Sequence, residues 1–490
     1  MNNRIIVTTC ICFLWTVQLH AQTTLTLEEV IQQAKAQSIA SKSAETTKEI
    51  FYWRYRFFRS NYNPSLTMFG NLPGYNKDFF QVSQDDGTFA FRSREQISSS
   101  LSFALAQPIS FTGGELSVNT RFEQFNNLDA NPDDINPIYN TTLVNVQLFQ
   151  PIFAFNELKW DLKIEPLRYE ESKRSYVEDM EFISREATAF YFNYLDAQTA
   201  LQIAQFNLAN DEANYNIEQG RYNIGTASKD QLLQLELQVL RDQQSVTQAR
   251  LDLQLAQLAL RTYIGRQEND DLQLDLLLPE GLPEFEIPLA EALEYARQNR
   301  ADFTEFERER LEAQRDVAEA RASRNQTGLR ASFGLNDAGA RIGDAYQNPN
   351  QQQRFNITFN VPILDWGRNK SRVGIAMANQ QLTEYTLEQE IQNFEQEIIT
   401  IVGQFEVLRA NVAIAKKSDE VAKERYDVAQ NRYVIGKTNI TDLNIAQTQK
   451  DEAVRNYVNA LRQFWFAYYD LRRLTLYDFI ERKRLYVVNE

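Results

Sequence analysis

Polar and apolar positions alternate every second residue in several short stretches of this chain. RFNITFNV (354–361) places Phe355, Ile357, Phe359 and Val361 on one side and Asn356, Thr358 and Asn360 on the other. TLVNVQL (142–148) does the same with Val144, Val146 and Leu148, and SLSFALAQ (100–107) with Leu101, Phe103 and Leu105. This period of two, bounded by Gly, Pro and Asn, predicts β-strands. Elsewhere the period is seven. Residues 167–219 hold no Gly or Pro, and Ala187, Tyr194, Leu201, Leu208 and Tyr215 run beside a second row of Ile183, Phe190, Ala197 and Ala204. Such paired rows make a coiled-coil seam, on a helix that would extend roughly 80 Å at ~1.5 Å per residue. The seam resumes with Leu232, Val239, Val246, Leu253 and Leu260.

The same order of patterns appears twice. In the second half Ile391, Ile398, Phe405 and Val412 run beside Phe394, Ile401, Leu408 and Ala415, and Ala446, Ala453, Ala460 and Ala467 mark the return helix. TLEEVIQQAKAQS (26–38) is echoed by PLAEALEYARQNR (288–300), 262 positions later. QPIF (150–153) is echoed by VPIL (361–364), and GRYNIG (220–225) by NRYVIG (431–436), both 211 positions later. The chain is therefore two copies of one unit, residues 22–277 and 278–490, joined near LPEGLPEFEIP (278–288). The first copy carries strands over about 64–153 and a long helical hairpin over 155–265. The second carries strands over about 328–364 and a hairpin over 366–475. The two offsets differ by 51 residues, a surplus lying between about Asn63 and Gln150.

Each unit opens on a helix. Thr26 with Glu29 is a capping-box pair, and Pro288 suits a first helical turn. Each RYxIG segment predicts the turn between two long antiparallel helices, with Gly225 and Gly436 as the left-handed residues that end a helix. Asp442 falls in the first turn of the helix that follows, where a carboxylate is favoured.

Residues 1–21 read as a secretory leader. They have a basic start at Arg4, an apolar run from Ile5 to Leu19, and Ala21 before the expected cleavage point. The run is too short for a lasting membrane span, and Cys10 and Cys12 lie inside it rather than at its end, against a lipoprotein. Both cysteines and the single histidine, His20, belong to this leader. The remaining chain thus offers no thiol or imidazole for catalysis or for zinc or copper. The net charge of −15 becomes −16 without Arg4, a poor balance for binding nucleic acid. No unbroken apolar run approaches 18 residues beyond the leader, so no spanning helix is expected, and any membrane crossing would be made by β-strands in a closed barrel.

Four to six strands cannot close such a barrel, which takes at least about eight. Several copies must share them, and a cyclic ring is the economical way. The long helices would then close into a second, helical tube with a polar bore.

The order helix, strand, strand, long helix, RYxIG turn, long helix, twice over, resembles the TolC family of outer membrane efflux proteins. VPILDWGRNKSRV (361–373) and RYVIGKTNITDL (432–443) are similar to the family's most telling motifs. The resemblance covers essentially the whole chain beyond the leader. It implies a mainly α protein with a transmembrane β part: a homotrimer whose barrel of twelve strands sits in the outer membrane and continues as an α-helical coiled-coil barrel across the periplasm. It implies four strands per protomer. The surplus segment SLSFALAQPISFTGGELSVNTRFEQF (100–125) reads as a strand pair joined at Gly113–Gly114 that either adds strands to the barrel or elaborates its outer end, and four strands lengthened or capped by it is the favoured reading. It implies a periplasmic adaptor and an inner-membrane transporter docking at the helix tips, outer-membrane lipid around the barrel, and no cofactor, metal or catalysis. In the family, rings of Asp on the helix after the tip turn constrict the entrance. Asp442 matches the upper ring, whereas Ile445 stands where the second Asp would be, leaving at most one ring of three carboxylates. Tyr433 matches a tyrosine that holds the entrance shut.

The tip residues Arg221, Tyr222, Gly225, Thr226, Arg432, Gly436, Lys437 and Thr438, with Ala227, are the expected adaptor-docking surface. Arg221 and Arg432 have a second reading as partners of neighbouring carboxylates, and Asp442 one as a helix-start carboxylate. The aromatic FWFAYYD (464–470) reads as helix packing. Two other functions compete: a periplasmic coiled-coil scaffold without a pore, against which the lipid-compatible strands speak, and a carboxylate-based hydrolase, for which no compact domain or Gly-rich loop speaks.

Overall fold

A computed structural model describes residues 23–128, 137–266, 274–279, 281–324 and 326–486. The expected leader lies outside these. In chain order the first copy comprises β1 (Thr23–Leu25), α1 (Leu27–Gln37), α2 (Ile39–Ser60), β2 (Ser65–Ser83), β3 (Phe89–Ile109), β4 (Gly114–Asn127), β5 (Ile138–Ile152), α3 (Glu157–Asn223) and α4 (Lys229–Tyr263). The second comprises β6 (Leu274–Leu276), α5 (Leu289–Asn299), α6 (Ala301–Ala322), β7 (Gln326–Gly339), β8 (Asn350–Asn360), α7 (Arg368–Val434) and α8 (Ile440–Thr475), closed by β9 (Tyr477–Asp478) and β10 (Lys483–Arg484).

The duplication is visible in element lengths. α1 and α5 both have 11 residues, α2 and α6 both 22, α3 and α7 both 67. α4 has 35 and α8 has 36. Even the break between the first two helices repeats: Ser38 and Arg300 are both extended, with ψ 152 and 149. Thr26 and Glu29 form the expected capping box at the start of α1.

The chain divides into two compact units. One draws on residues up to Glu45, Val177–Asn299 and from Glu397 onward; the other on Thr46–Tyr176 and Arg300–Gln396. In the first unit β1 pairs in parallel with β6, and Val30, Ile31 and Ala34 of α1 are buried. The buried carboxylate of Glu181 accepts from Lys35 at 2.8 Å and Arg472 at 2.7 Å. Arg472 also reaches Asp478 at 2.8 Å. One partner per charge would not offset its desolvation, and this network supplies several. The FWFAYYD segment packs as expected: Phe464 meets Phe405 edge-on at 5.3 Å, and Tyr468 and Tyr469 are buried.

One stretch departs from the sequence expectation about helices. α7 contains an 18-residue window of mean hydropathy 1.5, long and apolar enough by composition to cross a membrane. An unbroken-run criterion misses it because isolated polar residues interrupt it. Its seam residues Ile398, Phe405 and Val412 are buried, whereas Ile399, Val407 and Ile414 are exposed, and 22% of the window is buried.

The second unit holds a six-stranded antiparallel sheet in the order β2-β3-β4-β5-β7-β8. This corrects the expectation of four strands: the surplus of the first copy neither lengthens nor caps the others but forms an added hairpin, β2–β3. The alternation of the two faces holds across all six strands. One register row runs Leu66, Leu105, Val118, Val146, Phe333, Gln353, and the adjoining row on the other face runs Ser65, Ala106, Ser117, Gln147, Ser332, Arg354. The five apolar residues of the first row are all exposed. Around the sheet, Arg308 gathers Glu171, Glu305 and Glu312 at 2.6–3.1 Å.

Candidate functional site

The two RYxIG segments fold into the same turn. Gly225 and Gly436 have φ +79 and +72, the region that a side chain disfavours. Thr226 N–H donates to the Arg221 carbonyl at 2.9 Å and Lys437 N–H to that of Arg432 at 2.8 Å, each beside a glycine N–H donating to Tyr222 or Tyr433 at 2.9 Å. This six-to-one closure is the Schellman motif. The next helix starts differently in each copy. Ser228 forms a capping box with Gln231 at α4, while Asn439 caps α8 by accepting from Asp442 N–H at 2.8 Å.

Arg221 joins one turn to the other. Its Nη2 donates to the carbonyls of Tyr433 at 2.9 Å and Val434 at 3.1 Å, and its Nη1 pairs with Glu218 at 3.2 Å. The guanidinium also lies over the Tyr433 ring at 5.2 Å. A cation is thereby placed at the negative end of α7. The Tyr433 hydroxyl donates to Glu218 at 3.1 Å. Burial first, and then the Glu218 charge, pushes the Tyr433 phenol far above its usual range. Tyr433 sits in an apolar cluster with Leu235, Tyr426, Ile440 and Leu443. Arg432, the repeat partner of Arg221, is exposed and makes no ion pair among the described residues. Of the two readings weighed for these arginines, pairing within the chain holds for Arg221 alone.

The remaining tip residues face outward. Tyr222, Gly225, Thr226, Gly436 and Lys437 are exposed, and Ala227 and Thr438 are half-buried. Ile224, Val434 and Ile435 add exposed apolar surface. Asp442 is exposed in the first turn of α8, where its Oδ2 accepts from the Thr438 hydroxyl at 2.9 Å. Ile445 is exposed as well.

Behind the tips lies a layer of buried polar side chains that the sequence reading did not single out: Asp211, Asn214, Glu218, Asp242, Gln447 and Lys450. Gln447 and Asn214 donate to Asp211, both at 3.4 Å, and Gln238 to Asp242 at 3.1 Å. Asp242 Oδ2 is buried without a donor. Burial, then the hydrogen bond and charge of Asp211, pushes the Asp242 carboxyl up to about 7. Near neutrality the Asp242 carboxyl is therefore partly protonated, and its protonated form turns an orphaned acceptor into a donor. Lys450 Nζ lies over the rings of Phe206 at 3.9 Å and Tyr426 at 4.3 Å, and burial lowers its pKa. The signal for this layer was in the heptads. Continuing Ile183, Phe190, Ala197 and Ala204 by sevens reaches Asp211 and Glu218, so the seam turns polar in its last two steps.

No group of three or more His, Cys, Asp or Glu side chains suited to a metal occurs among the described residues. The comparisons with known proteins converge on one family. The family model described as outer membrane efflux protein matches residues 82–266 and 292–475, in step with the two copies. The cation efflux system protein CusC of Escherichia coli O6:H1 is 25% identical over 235 residues, 46% of this chain and 49% of that protein. The chain thus matches about half the length of this relative. The fold is that of the Campylobacter jejuni CmeC outer membrane channel (TM-score 0.66, 15% identity, 92% of this chain and 85% of that one). It is also that of Vibrio cholerae VceC (TM-score 0.63, 13% identity, 92% and 95%) and of the open-state Neisseria gonorrhoeae MtrE channel (TM-score 0.60, 19% identity, 92% and 88%). With both halves of the chain matched by the family model, and the doubled hairpins and sheet matched by solved channels, the chain belongs to the outer membrane efflux protein family.

Proposed function

We propose that three copies of this chain form an outer-membrane exit duct of a tripartite efflux or type I-like export system. Each copy passes substrate received from a periplasmic adaptor and an inner-membrane transporter, and performs no chemistry of its own. The observation that carries this reading is the sheet: one face presents a row of exposed apolar side chains across five of its six strands, the other a mostly polar row, and among the described residues both outer strands are unpaired within the chain. An open edge cannot face hydrocarbon, so copies must complete one another. The polar face then lines a water-filled lumen. A water-filled bore selects little, so the choice of cargo rests with the pump.

The tip network supports a gate. Arg221, Glu218 and Tyr433 tie α3 to α7 within one chain, and release of that tie would let the second hairpin swing. Exposed Asp442, repeated three times, supplies a single carboxylate ring that attracts cations. The exposed tips, with Tyr222, Thr226, Arg432, Lys437 and Thr438 around the two glycines, offer the adaptor a mixed apolar and polar surface. Native mass spectrometry of detergent-extracted outer membranes tests the assembly, and planar-bilayer recording tests the pore. A three-chain particle that conducts supports the reading; a single water-soluble chain that never enters lipid refutes it.

A further inference from the structure

The first copy contains a strand hairpin written twice. β3 ends in Gln107-Pro108-Ile109 and β5 in Gln150-Pro151-Ile152. Gln107 Nε2 donates to the Pro108 carbonyl at 2.8 Å and the Tyr62 carbonyl at 3.0 Å. Gln150 Nε2 donates to the Pro151 carbonyl at 2.9 Å and the Thr112 carbonyl at 3.2 Å. Tyr62 stands three residues before β2 and Thr112 two residues before β4, so each glutamine ties the end of a descending strand to the start of its ascending mate. β7–β8 is the third hairpin and leads into Val361-Pro362-Ile363. The sheet of one chain is therefore three hairpins in succession. The β2–β3 hairpin with its link, residues 65–113, accounts for the surplus of the first copy.

This hairpin is built as wall. β3 pairs with β4 without interruption from Gln96–Asn127 to Ile109–Gly114. The lipid-type face continues onto it through Leu66, Met68, Leu101, Phe103 and Leu105, while Ser100 and Ser102 lie on the opposite face. A segment folded into a lumen or spread over the outside would have no reason to keep the apolar row in register with Val118 and Val146. With β2–β3 in the wall, the two unpaired edges of the chain are β2 and β8.

We infer that the β8 edge of one copy pairs with the β2 edge of the next, closing a barrel of eighteen strands rather than the twelve implied by the family resemblance. The occupant of each edge is a second copy of this chain, because the edge lies on a strand whose outward face is lipid-compatible and only another strand satisfies its backbone there. The inference rests on the trimer reading of the preceding subsection. At ~4.8 Å between strands and a tilt of about 40°, twelve strands close at a backbone diameter of ~24 Å and eighteen at ~36 Å. The outer-membrane segment would then be half as wide again, suiting bulkier cargo.

Cysteine pairing between copies tests this. Cys10 and Cys12 lie in the expected leader, so introduced cysteines have no competitors. Thr67→Cys on β2 is combined in turn with Arg354→Cys, Asn356→Cys or Thr358→Cys on β8, and Ser117→Cys on β4 is combined with the same three. Outer membranes are treated with a mild oxidant and run on denaturing, non-reducing gels. The expected result is a covalent ladder reaching three chains for at least one β8–β2 pair and none for β8–β4. A ladder for β8–β4, or no ladder from any pair while unheated trimers persist, overturns the eighteen-strand closure. Loss of trimers in the unsubstituted chain overturns instead the assembly beneath it. A second variant deletes Asn63–Thr112, which joins Tyr62 to Gly113 and leaves a carbonyl for Gln150. It is expected to trimerise, to move the ladder to β8–β4 and to shorten the barrel circumference by about a third in electron micrographs. An unchanged circumference overturns the inference.

Discussion

Replacing Arg221 by alanine removes the side chain on which the tip network converges. Arg221 makes two charge-assisted hydrogen bonds to the last carbonyls of α7 and one ion pair to Glu218, with Arg221 24% and Glu218 7% exposed. Hydrogen bonds to a charged group contribute about 1.5–3 kcal/mol each. The carbonyls at the end of α7 regain water when the arginine leaves, which discounts both of theirs. Glu218 regains little and keeps only the Tyr433 hydroxyl as its donor from this network. The balance is about 3 kcal/mol, or roughly a 150-fold rise in the local opening constant at ~1.4 kcal/mol per decade. Hydrogen exchange followed by mass spectrometry on detergent-held protein reads this directly. Peptides covering 426–437 should exchange about two decades faster in Arg221→Ala, while peptides in α1 and α5 stay unchanged. Arg221→Lys keeps the charge but loses the planar fork that serves three acceptors at once, so it should fall between. Exchange of 426–437 within threefold of the unsubstituted chain would refute the clamp.

The Asp211–Asp242 pair should make the tips sensitive to pH. Because the Asp242 carboxyl is raised to about 7 in the fold and titrates near 3.9 when unfolded, the folded state binds more protons between those values. Local stability should therefore fall as pH rises from about 4 to about 7 and level off beyond; exchange of 211–242, corrected for its intrinsic pH dependence, checks this, and Asp242→Asn should flatten the profile. Asp442→Ala should raise leak conductance or remove block by divalent cations in bilayer recordings, and unchanged current and block would reject the carboxylate ring. Gly436→Glu should abolish export while trimers still assemble, since φ +72 costs a side chain about 1–2 kcal/mol and the charge disturbs the docking tip; normal export would reject that role.

The sequence exposed whatever repeats at a fixed period and hid what depends on three-dimensional neighbours. The seams, the doubled turns and the alternating strands were legible because 3.5 and 2 are backbone periods that burial enforces. The QPI phrase at 107–109 was visible as well, yet its meaning was not: a second Gln-Pro-Ile becomes a hairpin duplication only when Gln107 and Gln150 are seen to hold equivalent carbonyls. The same holds at the tips. Arg221 and Arg432 occupy identical places in the repeat, and the RYxIG segments themselves do not distinguish them. What separates them is Glu218, three residues before Arg221, against Ala429 at the equivalent place in the second copy, where no carboxylate is offered to Arg432.

That asymmetry bears on how a duplicated chain can open at one end. If both copies held their turns equally, the four tip helices would move together or not at all. Here the first hairpin reaches out, through Arg221 and Glu218, and the second is held, through its own helix end and Tyr433. The held hairpin is also the one that carries exposed Asp442 and Arg432, which makes no ion pair among the described residues. Its turn needs no contact from Arg432 to keep its shape, because the Schellman closure and Asn439 cap it from within. The second hairpin can therefore leave the first as a finished unit. At the tip it would break the Arg221 and Tyr433 hydrogen bonds, worth a few kcal/mol, together with the apolar cluster in which Leu235 of the first hairpin packs against Tyr426, Tyr433, Ile440 and Leu443 of the second.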